Sequence, residues 1–126
     1  MFELGTQRDF IARHFLIGGD FGAENLEHSH PYRLEVRLFA AELDGHGYLI
    51  DLLDLERAVD EVLALYRDRL LNEMSAFHGV NPSLERFARR LWTDLAERLS
   101  PAALTLRIRL WENERDWAGF DGGAIG

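Results

Sequence analysis

Apolar residues recur along this chain at two different spacings, and the changes between them mark out its elements. From Asp9 to Ile17 the residues Phe10, Ala12, His14 and Leu16 share one face of an alternating pattern, the period of a strand. Glycines at 18, 19 and 22 then predict a loop. Alternation resumes from His28 to about Glu42, with His28, His30, Tyr32, Leu34, Val36, Leu38 and Ala40 on one side and Arg33, Glu35 and Arg37 on the other. Asp44-Gly45-His46-Gly47 reads as a turn before the apolar run Tyr48-Leu49-Ile50. After Asp54, read as a helix N-cap, the spacing lengthens to three and four. Leu55, Ala58, Val59, Val62, Leu63, Tyr66, Leu70 and Leu71 form one helical stripe. Phe77 to Pro82 breaks the chain. A second helix starts near Pro82-Ser83, carries Phe87, Leu91, Leu95 and Leu99, and is ended by Ser100-Pro101. A third strand places Leu104, Leu106, Ile108, Leu110 and Glu112 on one face, and a short fourth strand is expected from Asp116 to Phe120.

The element order is therefore strand, strand, helix, helix, strand, strand (ββααββ). Each helix has a single apolar stripe, so the economical solution is an α+β fold: a four-stranded antiparallel sheet with both helices packed on one face. At 126 residues this is one domain spanning 1–126, with residues 121–126 expected to be a frayed glycine-rich tail.

Composition narrows the chemistry. Cysteine is absent, which excludes disulfides, thiolate ligands and a cysteine nucleophile. All 14 basic residues are arginine, so no lysine can form a Schiff base. A net charge of −8 argues against a nucleic-acid partner. No apolar run is long enough for a transmembrane helix and no signal-peptide pattern is visible, so neither a membrane partner nor export is expected, and the cytoplasm is the expected location.

His28-Ser29-His30 supplies the candidate chemistry. Residues i and i+2 of a strand project from the same face, so both imidazoles can aim at one point. A third imidazole from a neighbouring antiparallel strand, His14, would complete a three-histidine zinc site with an open fourth position.

The layout and motifs resemble the 6-pyruvoyl-tetrahydropterin synthase and 6-carboxy-tetrahydropterin synthase family over nearly the whole chain. His14 sits where the family has its first zinc histidine, and His28-Ser29-His30 resembles its His-Gly-His. Gly47-Tyr48-Leu49-Ile50-Asp51 resembles a stretch in which a buried aspartate precedes the first helix. Leu71-Asn72-Glu73, Asn81-Pro82-Ser83-Leu84-Glu85 and Trp111-Glu112-Asn113 match further signatures in order. The resemblance implies a tunnelling fold (T-fold) assembled as a homohexamer with sites at subunit interfaces. It also implies a zinc cofactor and a pterin substrate, 7,8-dihydroneopterin triphosphate, with His14, His28 and His30 as metal ligands and Glu112 as the anchor of the pterin ring.

Two departures from the family pattern shape the expected reaction. The position of the family's catalytic cysteine, four residues before His28, is Glu24. A glutamate there resembles the branch that cleaves the side chain to 6-hydroxymethyl-7,8-dihydropterin, and Glu27 is a second candidate base. A carboxylate is a weaker base than a thiolate, but it can take a proton from a hydroxyl acidified by zinc. The family's Asp-His pair on the first helix aligns with Arg67-Asp68, so the catalytic histidine is missing. Asp68 is a candidate acid and Arg67 a candidate phosphate ligand, and both also fit a solvated helix face. The expected function is a zinc-dependent pterin lyase. The alternatives are a 6-carboxy-tetrahydropterin synthase of queuosine synthesis and a paralogue that binds pterin without turning it over.

Overall fold

The computed structural model describes residues 1–99 and 104–125. It contains β1 (Phe2–His14), β2 (His28–Ala40), α1 (Leu52–Ala64), α2 (Leu84–Arg98), β3 (Leu104–Trp111) and β4 (Trp117–Ile125), with single 3-10 turns at Gly22–Asn25, Leu71–Glu73 and Ser75–Phe77. The strands form one antiparallel sheet in the order β1-β2-β3-β4. This is the ββααββ arrangement that the spacing predicts. Among the described residues no helix is long and apolar enough to cross a membrane.

The core forms where the two periodicities meet. Leu34, Val36 and Leu38 of β2 and Leu106, Ile108 and Leu110 of β3 are buried on one sheet face. Onto it fall the stripes of α1 (Leu55, Ala58, Val59, Val62, Leu63) and of α2 (Phe87, Ala88, Leu91, Leu95). Phe87 is fully buried at the middle of an aromatic cluster, with Phe10, Tyr32, Tyr66 and Phe77 at centroid distances of 5.2–5.9 Å. The one buried carboxylate among the described residues, Asp94 of α2, accepts hydrogen bonds from the Tyr66 hydroxyl just past α1 and from Arg90 Nη2 at 2.6 Å. That satisfied group ties the two helices together.

Several boundaries differ from those read in the sequence. β1 begins at Phe2 rather than Asp9 and stops at His14 rather than Ile17. Its first half is hard to see because Thr6 and Arg8 occupy the helix-facing side, where Arg8 Nε reaches Asp60 Oδ1 of α1 at 3.0 Å. β2 ends at Ala40, short of Glu42. The cap of α1 is Asp51, not Asp54: its side chain accepts from the Leu53 amide at 2.9 Å, and it is exposed, not buried. α1 stops at Ala64, although the apolar spacing runs on to Leu71. The chain instead turns back at Asp68, the only non-glycine residue with positive φ among those described (φ 60°), and pairs with β1 through Asp68 N–H to Ile11 O and Arg13 N–H to Arg69 O. α2 starts where expected, with Ser83 as its cap, while Ser100-Pro101, expected to end it, lies outside the described residues.

The largest correction concerns the expected frayed tail. Residues 121–125 belong to β4, which runs on to a buried Ile125 paired with Leu104. Gly122 has a packing reason. Gly122 is the extra residue of a β-bulge, since Leu106 pairs with Gly123 and Arg107 with Asp121. The indole of Trp92 fills the space beside it and donates its Nε1–H to the Leu106 carbonyl at 2.7 Å. A Cβ on Gly122 would lie 2.5 Å from Trp92 Cη2. Gly122→Ala is therefore expected to destabilise the protein by about 1–3 kcal/mol, the usual cost of overpacking. Urea unfolding followed by tryptophan fluorescence checks this. An unchanged midpoint would show that the tail is not docked under Trp92.

Candidate metal centre and adjoining groove

The site is built where β1 and β2 end together. The antiparallel register pairs His14 directly with His28 and Ala12 with His30, so all three imidazoles emerge from the helix-facing side of the two strands. His14 is buried and the other two are half-buried. Nε2 of His14 lies 2.9 Å from Nε2 of His28. The ring of His30 stands further off, its centroid 5.3 Å from that of His14 and 6.2 Å from that of His28.

Each imidazole spends its Nδ1 on the protein. His28 Nδ1–H donates to the Leu26 carbonyl at 2.8 Å, and His30 Nδ1–H donates to the Pro31 carbonyl at 2.9 Å. His14 Nδ1 is hydrogen-bonded to the Tyr32 hydroxyl at 3.0 Å. A neutral ring whose Nδ1–H is committed to a carbonyl presents an Nε2 lone pair, which is how metal-ligating histidines are oriented. Burial, followed by the charges that His28 and His30 can carry, lowers the His14 pKa to about 4. Its ring thus stays neutral through the physiological range. These donors fit a borderline cation such as zinc.

Glu24 completes the cluster. It lies in the 3-10 turn Gly22–Asn25, and its Oε2 is 3.4 Å from His28 Nε2. The ligand atoms of His14, Glu24 and His28 all lie within 4.8 Å of one another, so the tightest trio is two histidines and a carboxylate, with His30 beside it. Glu27 points elsewhere, its carboxylate held by Arg13 Nη1 at 2.6 Å.

A groove of about 860 Å³ opens next to the cluster. Glu112, Arg67 and Asp68, distant in sequence, all line it, together with Phe10, Tyr32, Arg33 and Trp111. Glu112 sits at the mouth of the β3–β4 hairpin, where its amide donates to the Asp116 carbonyl at 3.1 Å and Asn113 caps the turn. None of the three histidines lines the groove; Tyr32 belongs to both regions. Burial, then the nearby carboxylates of Glu112 and Glu24, drive the Tyr32 pKa well above its ordinary value. The phenol keeps its proton between the two acids.

Tyr32 was missed by the motif reading. The available signal was its position two residues after His30 on the same strand face. His46 and His78, the remaining histidines, lie in loops, His46 in the turn before α1 and His78 exposed before α2.

A family model described as 6-pyruvoyl tetrahydropterin synthase matches residues 3–123. A putative 6-carboxy-5,6,7,8-tetrahydropterin synthase of Archaeoglobus fulgidus is 30% identical over 115 residues, covering 91% of this chain and 91% of the relative. A 6-pyruvoyl tetrahydrobiopterin synthase of Poecilia reticulata is 28% identical over 97 residues, 75% of this chain and 65% of the relative. Among solved structures, the 6-pyruvoyl tetrahydropterin synthase of Caenorhabditis elegans superposes with a TM-score of 0.84 at 21% identity, over 96% of this chain and 95% of that one. The Plasmodium vivax 6-pyruvoyltetrahydropterin synthase, in a form whose catalytic glutamate is replaced by alanine, superposes with a TM-score of 0.80 at 17% identity, over 96% of this chain and 97% of that one.

Proposed function

We propose that this chain, which belongs to the 6-pyruvoyl tetrahydropterin synthase family, is a zinc-dependent lyase that cleaves the side chain of 7,8-dihydroneopterin triphosphate to 6-hydroxymethyl-7,8-dihydropterin. The observation that carries this reading is Glu24, a carboxylate 3.4 Å from His28 Nε2 at the position where the resemblance leads one to expect a cysteine. The naming of a glutamate as catalytic in the Plasmodium vivax relative supports the same role.

His14, His28 and His30 would hold the metal through their Nε2 atoms. Zinc, when bound, would supply the positive charge that acidifies a side-chain hydroxyl. Glu112 would accept hydrogen bonds from the ring N–H and amino group of the pterin, a bidentate contact that specifies the ring. Trp111 and Tyr32 offer aromatic surface in the same groove, and Arg67 offers positive charge for the triphosphate, while Arg33 there is paired with Asp9 at 2.8 Å.

Glu24 takes the proton of the second side-chain hydroxyl, whose oxygen becomes a carbonyl as the bond between the first and second side-chain carbons breaks. The electron pair of that bond passes into the dihydropterin ring. It returns to the first carbon with a proton, giving the hydroxymethyl group, and a triphosphorylated two-carbon aldehyde leaves. Glu24, now protonated, is the nearest acid able to return that proton.

Incubation of zinc-loaded protein with 7,8-dihydroneopterin triphosphate, followed by chromatography, tests the reading. The expected product is 6-hydroxymethyl-7,8-dihydropterin. A 6-carboxy product would favour the alternative suggested by the name of the Archaeoglobus fulgidus relative. Tight pterin binding without turnover would leave a recognition protein.

A further inference from the structure

The segment just past β1 has an unusual set of partners. Phe15 donates its N–H to Asn72 Oδ1 at 2.9 Å and accepts from Asn72 Nδ2 at 2.9 Å. Ile17 does the same with Asn81, at 2.7 and 3.1 Å. Between them Leu16 faces the other way: its N–H donates to the Glu24 carbonyl at 2.8 Å, and its carbonyl accepts from Asn25 Nδ2 at 3.0 Å. All six backbone groups of residues 15–17 are thus satisfied, alternately to the two sides, as in a strand between two neighbours. One neighbour is the Glu24 turn. The other is no strand at all but two side-chain amides, each presenting a C=O and an N–H where a peptide would.

Both amides stand on firm ground. Asn72 follows the fully buried Leu71, and Asn81 directly precedes Pro82 and the α2 cap, with its own carbonyl accepting from Arg86 Nη1 at 3.1 Å. The loop they dock is otherwise held by contacts within itself: Asn25 accepts from the Phe21 N–H at 2.7 Å and donates to the Gly19 carbonyl at 3.0 Å, while Gly18 and Gly22 adopt positive φ and no residue of the turn Gly22–Asn25 is buried. The two amides are thus what joins residues 15–17, and the turn bonded to Leu16, to the segments that lead into α2.

We propose that Asn72 and Asn81 are positioning residues, a pair of side-chain splints that hold residues 15–17 and through Leu16 set Glu24 against the histidine pair. The role of Glu24 in this proposal rests on the reading given above. Neither asparagine touches the groove or the metal ligands, so their effect on chemistry passes through the loop.

The test combines hydrogen exchange with a double-mutant cycle. In Asn81→Ala, the amides of residues 15–25 are expected to lose protection while those of the sheet core keep theirs. The kcat is expected to fall about 10–100-fold with KM little changed, because misplacing a reacting group by about 1 Å costs on that order. In a Glu24→Gln background the same substitution should cost almost nothing further. Asn81→Asp, which keeps the shape and one acceptor, repeats the measurement if the alanine variant folds poorly. Unchanged protection of residues 15–25 would overturn the splint. An undiminished kcat effect in the Glu24→Gln background would overturn its action through Glu24. Lost protection in a protein whose wild type turns over no pterin would sink the proposed reaction while leaving the splint supported by exchange.

Discussion

His28→Ala is expected to abolish binding of the proposed zinc and, with it, the proposed turnover, the largest effect of any single change. The imidazole of His28 faces that of His14 across 2.9 Å, and its orientation is set by the Nδ1–H bond to Leu26. Removing a partner that merely orients a ligand costs about 10–100-fold in metal affinity, so losing a ligand should cost more than about 100-fold. The fold itself should survive, because His28 is half-buried at the end of β2 and the core lies further along the strand. Metal content after gel filtration and competition with a chromophoric chelator measure the loss. A second reading comes from thermal unfolding. Zinc that binds only the folded state raises the wild-type Tm in proportion to the logarithm of its concentration, and the variant should show no such response. A variant that kept one zinc per chain would dismiss the histidine site.

How much of this site could be read in advance depended on which physical signal each residue left. The alternation of Phe10, Ala12 and His14 against that of His28, His30 and Tyr32 put three imidazoles on compatible strand faces, while the register that pairs His14 with His28 is visible only in the structure. The apolar stripes of α1 and α2 were equally plain. Other elements left no such trace. The glycines of β4 look like a flexible tail until Trp92 is seen occupying the space where a side chain on Gly122 would be. Asp51 and Asp54 are both good caps, and only the bond to the Leu53 amide decides between them. Helical spacing continues to Leu71, but the helix does not, because residues 67–70 turn back along the edge of β1. The groove joins Arg67, Asp68 and Glu112 across most of the chain, a proximity that no local pattern encodes. Asn72 and Asn81 sit in signatures legible only by resemblance, and their work as stand-ins for peptide groups belongs to tertiary structure alone.

Glu24→Gln separates the two roles that the geometry allows this carboxylate. The substitution keeps size and hydrogen-bonding capacity but removes the charge that accepts a proton. If Glu24 is the base, kcat should fall by about 10²–10⁴-fold, the range of general base contributions, while zinc stays bound at one per chain and KM for the pterin changes little. Glu112, proposed to anchor the pterin, lines the groove at the β3–β4 hairpin and is untouched by the change. If Glu24 is instead a ligand, its place in the trio with His14 and His28 predicts a loss of metal first, with activity following in proportion. Rapid-quench turnover and metal content measured on the same preparation distinguish the cases. A glutamine variant of undiminished rate would remove Glu24 from the chemistry altogether and direct attention to Asp68, which lines the groove with Glu112. The base reading requires His30, whose Nδ1–H is committed to Pro31 and whose ring centroid lies 5.3 Å from that of His14, to supply the third nitrogen in place of Glu24. On the proposed reading, in which His30 joins His14 and His28 as the third ligand, the carboxylate of Glu24 would be free to do what a ligand cannot, which is to take a proton and give it back.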